Sequence, residues 1–436
     1  MRRSIVCAFT TEGTVKIVTI RAAVACAALS LTAASLPGRP EDVGMSSDRL
    51  LRIGDVVQRY IDAGQISGAV TMVSRRGRIA HFEARGLMDL EAKTPMRRDA
   101  IFRMASMSKP VTGVAILMLM EEGKVRLTDP VSRFIPEFRN MKVAVAKPLP
   151  PAPTGPSRQP PREPEIYTVP ADREVTIRDL LTHTSGLESG GWGTAEANRA
   201  APRRTSDTLA HYVPELGAAP LDFQPGTQWR YSALAGLETL GRIVEVASGE
   251  PFDRFLKERI FDPLGMQDTA FFPTDDRAPR VVTLYQPGRK RLERVETPAW
   301  LATRTLFSGA AGLWSTAEDY MQFAQMLANG GALDGTRLLS PRTIDLMASN
   351  HVADLYTGAG GRRQQGLGFG LTVEVVLDSV ASGRRPSNGS FGWDGAFGTH
   401  FWVDRKEQLV GLLLIQEPVA QLGRDFENAV MQAIIE

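Results

Sequence analysis

Phe102-Arg103-Met104-Ala105-Ser106-Met107-Ser108-Lys109-Pro110, followed by an apolar run over residues 111–120 and a stop at Gly123, is the stretch on which the fold of this chain turns. It has the parts of a helix: a polar start, a proline in the first turn, apolar periodicity and a closing glycine. If Ser106 caps that helix, positions three apart share a face, and the amine of Lys109 lies beside the Ser106 hydroxyl. A serine with a neighbouring amine can become an activated nucleophile. Alone the tetrad is weak, because a capped core helix with a surface lysine reads the same way. With nine lysines in the chain, chance supplies S-x-x-K about once in two such sequences.

Outward from this helix, the 436 residues are 43% apolar and 23% charged, with a formal charge of +2. That is the balance of a soluble globular protein with a sizeable core. No basic run or aromatic–basic interleaving appears, which argues against nucleic acid as a partner. Cys7 and Cys26 are the two cysteines, so the chain after residue 26 has no thiol for a nucleophile, a disulfide or a thiolate metal site. No histidine or carboxylate cluster has metal-ligand spacing, and no cofactor is implied. Residues 22–36 form an apolar stretch too short to span a bilayer, preceded by Lys16 and Arg21 and ending in small residues. Residues 1–36 therefore read as a leader with translation starting near residues 15–17, which predicts an exported, periplasmic or secreted protein without an integral span after processing. A cytoplasmic protein with a disordered tail is the alternative.

From residue 40 the patterns predict a helix over 47–63, closed by Gly64, and strands over 69–74 and 78–85 around the turn Arg75-Arg76-Gly77. The nucleophile helix follows, then a short helical region from Leu127. Eight prolines between residues 148 and 164 exclude a helix interior or central strand and read as an insertion within one domain. Helical patterns recur over 177–181, 208–212, 234–247 and 252–260. Strand patterns return over 368–376, 398–403 and 409–416, the last two joined by a turn at Arg405-Lys406-Glu407, before a final helix over 426–435. The order predicts a mixed α/β fold of the α+β kind. Its antiparallel sheet, flanked by helices, draws on residues 40–125 and 300–436, and a mainly helical subdomain over 126–299 is inserted. A cleft between such halves favours a ligand site, with Ser106 at the junction.

A nucleophilic serine needs a proton acceptor and a holder for the oxyanion. No G-x-S-x-G elbow occurs, and none of His81, His183, His211, His351 or His400 stands in a recognisable triad motif. Four segments instead resemble, in order and approximate spacing, those of the serine β-lactamase and penicillin-recognising superfamily. The likeness is to its class C-like branch, which includes the family VIII carboxylesterases. The segments are Ser106-Met107-Ser108-Lys109; residues 180–187; Gln224-Pro225-Gly226-Thr227 through Tyr231-Ser232-Ala233; and Gly392-Trp393-Asp394-Gly395-Ala396-Phe397-Gly398-Thr399. The resemblance spans nearly everything from Val43 onward.

It implies a β-lactamase/transpeptidase-like fold in which Ser106 is the nucleophile and Lys109 with Tyr231 the proton-handling pair. It also implies an oxyanion hole made by the backbone N–H groups of Ser106 and Ala396. Either a neutral lysine or a phenolate can take a serine proton without histidine, and the sequence does not choose between them. Two positions depart from the lactamase pattern. Trp393-Asp394-Gly395 stands where Lys-Thr-Gly is usual, and Ala233 where the tyrosine motif usually ends in asparagine. The cation that pairs with a lactam carboxylate is thus replaced by an apolar indole.

Strand alternation puts Trp393 and Gly395 on one face and Asp394 on the other, so Trp393 toward the cleft means Asp394 away from it. Gly395 lets the backbone approach a substrate. Core packing is the alternative for Trp393, as a half-buried aromatic is for Tyr231. His183 is expected to hydrogen-bond backbone, Trp192 to lie on a loop that covers the cleft or stands free, and Gly309-Ala310-Ala311-Gly312 to pack tightly beside the sheet.

These readings predict an exported serine hydrolase cleaving small-molecule carboxylic esters through a Ser106 acyl-enzyme. A β-lactamase, a D-amino-acid peptidase and an acyltransferase are alternatives on the same machinery. A non-catalytic binding module for cell-wall peptide is the alternative of another class. No feature of the sequence assigns an oligomeric state.

Overall fold

A computed structural model of the chain describes residues 39–148, 164–289, 291–296, 304–358 and 360–436. The leader expected over residues 1–36, and all but the ends of the Pro-rich stretch, lie outside them. Ser46 caps helix α1 (Ser47–Asp62) through the Arg49 N–H. Strands β1 (Gly68–Arg75) and β2 (Arg78–Asp89) then form the expected hairpin, to which β3 (Thr94–Pro95) adds a short edge. Helix α2 (Ser108–Glu121) is buried over nearly its whole length, which its continuous apolar run requires.

The rest of the main sheet comes from the C-terminal part of the chain: β4 (Leu367–Phe369), β5 (Glu374–Val376), β6 (Phe391–Asp394), β7 (His400–Asp404) and β8 (Leu409–Leu414). The order is β4-β5-β6-β7-β8-β1-β2-β3, antiparallel throughout. Residue 414 pairs with residue 70, so the two ends of the chain share one sheet.

Both faces of the central strands are covered, and the period of two sorts their side chains between two cores. Val70, Met72, Phe401, Val410 and Leu412 enter the larger core, which contains α2 and the helix Ala317–Ala328. Ala69, Val73, Trp402, Leu409 and Leu413 enter a second, beneath α1 and the terminal helix Ala420–Met431. The expected single pattern over 368–376 is two strands. Thr372 at φ +70° turns the chain between β4 and β5, and its backbone N–H donates to the Leu181 carbonyl.

The middle of the chain is mainly helical, including α3 (Ala235–Ser248), and adds two small hairpins that periodicity did not reveal. One pairs Lys142–Ala146 with Ile166–Pro170, so the Pro-rich stretch joins two arms of a single hairpin. Trp192 begins a helix (Trp192–Ala200) and is not in an irregular loop. Asp222 fixes the turn before it by accepting from the N–H groups of Ser189 (2.6 Å) and Thr194 (2.7 Å). Among the described residues, no helix is long and apolar enough to cross a membrane.

Candidate active site

Ser106 does not cap α2. It sits in a 3₁₀ turn (Ala105–Met107) immediately before the helix, because the turn closes on its own backbone: Met107 N–H donates to Met104 O at 3.0 Å. Ala105 is held at φ +45°, a conformation costing of order 1 kcal/mol for a residue with a Cβ. The Ser106 hydroxyl is thereby released from capping, and Ser108 ties the helix start to the neighbouring segment by accepting from Leu313 N–H at 3.1 Å.

Lys109 lies one turn on and is fully buried. Its Nζ is 3.0 Å from Ser106 Oγ, 2.7 Å from the Ala233 carbonyl and 2.9 Å from the Ala310 carbonyl. Tyr231 donates its hydroxyl to Ser106 Oγ at 2.7 Å, and Lys109 Nζ sits 5.0 Å from its ring centre. The structure thus brings together Ser106, Lys109 and Tyr231, which are separated by up to 125 residues in sequence. Ala310 belongs to the glycine-rich stretch read as tight packing. There a Cβ on Gly309 would stand 2.9 Å from both the Leu237 carbonyl and Thr112 Oγ1.

Tyr231 is fixed by His183, as a backbone-binding residue of unusual placement. At φ +57°, His183 accepts Arg230 N–H on its carbonyl (3.1 Å) and Ser232 N–H on Nδ1 (3.3 Å), gripping the tyrosine from both sides. Its ring centre is 4.7 Å from that of Tyr231. Burial, and then the nearby Lys109, push its pKa well below the ordinary histidine value. It is a neutral ring with its proton on Nε2, because Nδ1 accepts.

Trp393 lies 5.6 Å from the Tyr231 ring and 5.3 Å from Phe369, completing an aromatic wall with Trp229 and Tyr356. Trp229, Tyr356 and Phe369 were not singled out by motif reading; they stand at no fixed spacing and meet only through the fold. Asp394 points the other way, onto His400. Gly395 docks against the serine turn: a Cβ there would be 2.5 Å from the Met104 carbonyl and 2.0 Å from Thr399 Oγ1. Its N–H is taken by Thr399 O at 2.7 Å, and Ala396 follows at the tip. A cleft of about 670 Å³ opens beside Tyr231, with Ser189, Trp229, Arg230 and Leu355 in its lining. Among the described residues no cluster of histidine, cysteine or carboxylate groups could hold a metal ion. The arrangement can activate a serine by passing its proton to a neutral amine or a phenolate, beside an aromatic wall.

The sequence profile of the Beta-lactamase family matches residues 53–433. The chain belongs to the β-lactamase family. Protein Rv1367c of Mycobacterium tuberculosis is 37% identical over 371 residues, covering 83% of this chain and 88% of that one. The esterase EstB of Burkholderia gladioli is 32% identical over 434 residues, covering 93% and 99%. Among solved structures, EstCE1, described as a hydrolase with promiscuous acyltransferase activity, superposes with a TM-score of 0.72 at 26% identity, covering 88% of this chain and 99% of that one. The eight-stranded sheet and the sequence elements recognised in this chain are therefore those of a β-lactamase-family serine enzyme.

Proposed function

We propose that this protein is a serine carboxylesterase, with Ser106 the nucleophile and Lys109 and Tyr231 the proton-transfer pair. The observation that carries the reading is the Ser106 hydroxyl held between Lys109 Nζ and Tyr231 OH at 3.0 and 2.7 Å. Ser106 Oγ attacks the ester carbonyl carbon and its proton passes to the pair. The bond to the leaving oxygen breaks as that oxygen takes the proton, which leaves an acyl-enzyme. Water then attacks the acyl carbon by the same route, releasing the acid and restoring Ser106. The N–H groups of Ser106 and Ala396 receive the carbonyl oxygen as it becomes negative.

Ester preference rests on Trp393. The indole offers the substrate an apolar face where the lactamase pattern places a cation for the lactam carboxylate. Gly395 keeps the strand low enough for the acyl group to lie across it. The esterase name of a relative aligned over 93% of this chain supports the same substrate class. A small molecule is the substrate, and export is proposed from the apolar 22–36 segment, tested by N-terminal sequencing of secreted protein.

Labelling with a fluorophosphonate followed by peptide mass spectrometry is expected to find the adduct on Ser106. No adduct, or an equal one in Ser106→Ala, sinks the nucleophile assignment and returns the binding-module reading. Comparing p-nitrophenyl butyrate with nitrocefin tests the substrate class, and greater kcat/KM on nitrocefin refutes it.

A further inference from the structure

The strand that packs Trp393 against Tyr231 carries a second constellation on its opposite face. Asp394 and His400 are directly opposed in the β6–β7 pair, at the last register position before the 395–399 tip. Opposed residues on an antiparallel pair present neighbouring side chains, and here Asp394 Oδ1 lies 2.5 Å from His400 Nδ1. The other ring nitrogen, Nε2, lies 3.4 Å from Glu427 Oε1 on the terminal helix. Glu427 is in turn bound by Arg384, whose Nε is 3.0 Å from Oε2. Arg384 also reaches Glu374 on β5 at 3.0 Å, and Glu374 accepts the Tyr356 hydroxyl at 2.5 Å. The charged groups around His400 are therefore Asp394 from β6, Glu427 and Arg424 from the terminal helix, Arg384 from the segment before β6, and Glu374 from β5.

His400 is 8% exposed. With a carboxylate beside each ring nitrogen, a neutral imidazole turns a lone pair toward one of them, whereas the imidazolium donates to Asp394 through Nδ1 and is ion-paired through Nε2 with Glu427. The tip itself is closed by Gly395 N–H to Thr399 O (2.7 Å) and Gly398 N–H to Gly395 O (2.9 Å). It is hung on the serine turn by Thr399 Oγ1 donating to Met104 O at 3.2 Å. One side of the tip is thus fixed to the Ser106 turn, the other to the Asp394–His400 rung.

We propose that protonated His400 is a positioning residue for catalysis, clamping Asp394 to the terminal helix and so fixing the 395–399 tip that presents the Ala396 N–H to the acyl oxygen. The proposal rests on the Ser106 acyl-enzyme reading. His400 touches no substrate and acts through the strand. Burial by itself lowers its pKa, but the carboxylates of Asp394 and Glu427 outweigh that and raise it to about 9. The clamp is consequently intact through neutral pH and opens in the alkaline range.

The test is kcat and KM for p-nitrophenyl butyrate from pH 6 to 10.5, corrected for spontaneous hydrolysis, in the parent, His400→Gln and Asp394→Asn. In the parent kcat declines through a limb near pH 9. In His400→Gln, kcat at pH 7 falls roughly tenfold, less than the 10²–10³ that loss of an oxyanion donor costs. KM stays within about twofold, since ground-state binding is untouched, and the limb near pH 9 disappears. In Asp394→Asn the limb moves toward acid, because one of the two carboxylates facing His400 is gone. The Asp394 side chain is largely exposed, so this variant carries the test even if His400→Gln misfolds. A limb that persists unchanged in His400→Gln, parent-like kcat in that variant, or an unmoved limb in Asp394→Asn overturns the proposal. Fluorophosphonate labelling of the parent separates the two readings: absence of a Ser106 adduct sinks the acyl-enzyme, while a full adduct with unchanged pH limbs sinks only the clamp.

Discussion

Replacing Tyr231 by phenylalanine removes one oxygen atom from the site and little else. The hydroxyl's hydrogen bond is the one to Ser106 Oγ at 2.7 Å, while the ring keeps its packing against His183 and Trp393 and its place beside Lys109. Stability should therefore change by about 1 kcal/mol or less, the worth of one hydrogen bond at a half-buried site. Catalysis should change far more. A positioned proton-transfer group contributes 10²–10⁴ in rate, or roughly 3–5 kcal/mol of barrier. That full loss is expected with an alkyl butyrate, whose departing alkoxide must be protonated. With p-nitrophenyl butyrate the leaving phenolate departs unaided, and the loss should be smaller by about tenfold or more. The assay is steady-state hydrolysis of both esters at pH 7.5, with a melting curve for each protein. If Tyr231→Phe keeps more than about a tenth of the parental kcat on the alkyl ester while remaining folded, Tyr231 does not transfer the proton. If both esters lose equally, its role is not at the leaving group.

Lys109→Met should damage fold and activity together, because the Ala233 and Ala310 carbonyls lose a buried donor at about 1–3 kcal/mol each; a melting temperature equal to that of the parent would contradict this. Gly395→Ala forces a Cβ to within 2.5 Å of the Met104 carbonyl, so kcat should fall more than about tenfold and stability by roughly 1–3 kcal/mol, read from urea melts and steady-state rates. Trp393→Lys supplies the missing cation and should raise the ratio of kcat/KM for nitrocefin over p-nitrophenyl butyrate; an unchanged ratio would remove the indole from the specificity argument. His400 has its folded pKa raised to about 9 from about 6.5 unfolded, so its stabilisation is fully present below 6.5 and is lost as pH rises through 9. It should amount to about 1–3 kcal/mol, the lower end favoured by solvent screening at Asp394, and the stability gap between parent and His400→Gln in urea should close between pH 6.5 and 10.

The sheet and the order of its parts were legible because each depends on local rules: short apolar, strand-length runs on either side of turn residues at 75–77 and 405–407, and an apolar stripe closed by Gly64 in α1. What the sequence concealed depends on backbone conformation that side-chain identity does not encode. Ala105, His183 and Thr372 all adopt positive φ, which residues with a Cβ reach only when tertiary contacts enforce it. Those three positions turn Ser106 out of the capping role, wrap His183 around Tyr231 and split the 368–376 pattern into two strands. Trp192 departs from its expected loop for a related reason, since three nearby glycines suggest a loop while Asp222, some thirty residues away, holds the helix start. The two carbonyls that receive Lys109 left no trace in the sequence, because any residue carries one.

Those carbonyls also bear on the choice the motifs left open. Ala233 O and Ala310 O can only accept, so two hydrogens of the Lys109 amine are committed to them. If the amine is neutral, its lone pair faces Ser106 Oγ, the serine hydrogen points into it, and Tyr231 donates to the serine oxygen. Every hydrogen in the triad then has an acceptor and no phenolate is required. If the lysine is an ammonium and the tyrosine neutral, both donate to Ser106 Oγ, and the serine's own hydrogen has no acceptor within the triad. A phenolate beside the ammonium restores balance only by placing two separated charges around a neutral hydroxyl. The neutral-amine arrangement already points the serine proton along the line it must travel during attack. It also leaves the Tyr231 hydroxyl on the side from which a proton can pass to the leaving oxygen. Lys109 as acceptor and Tyr231 as relay is therefore the division of labour we propose for the pair.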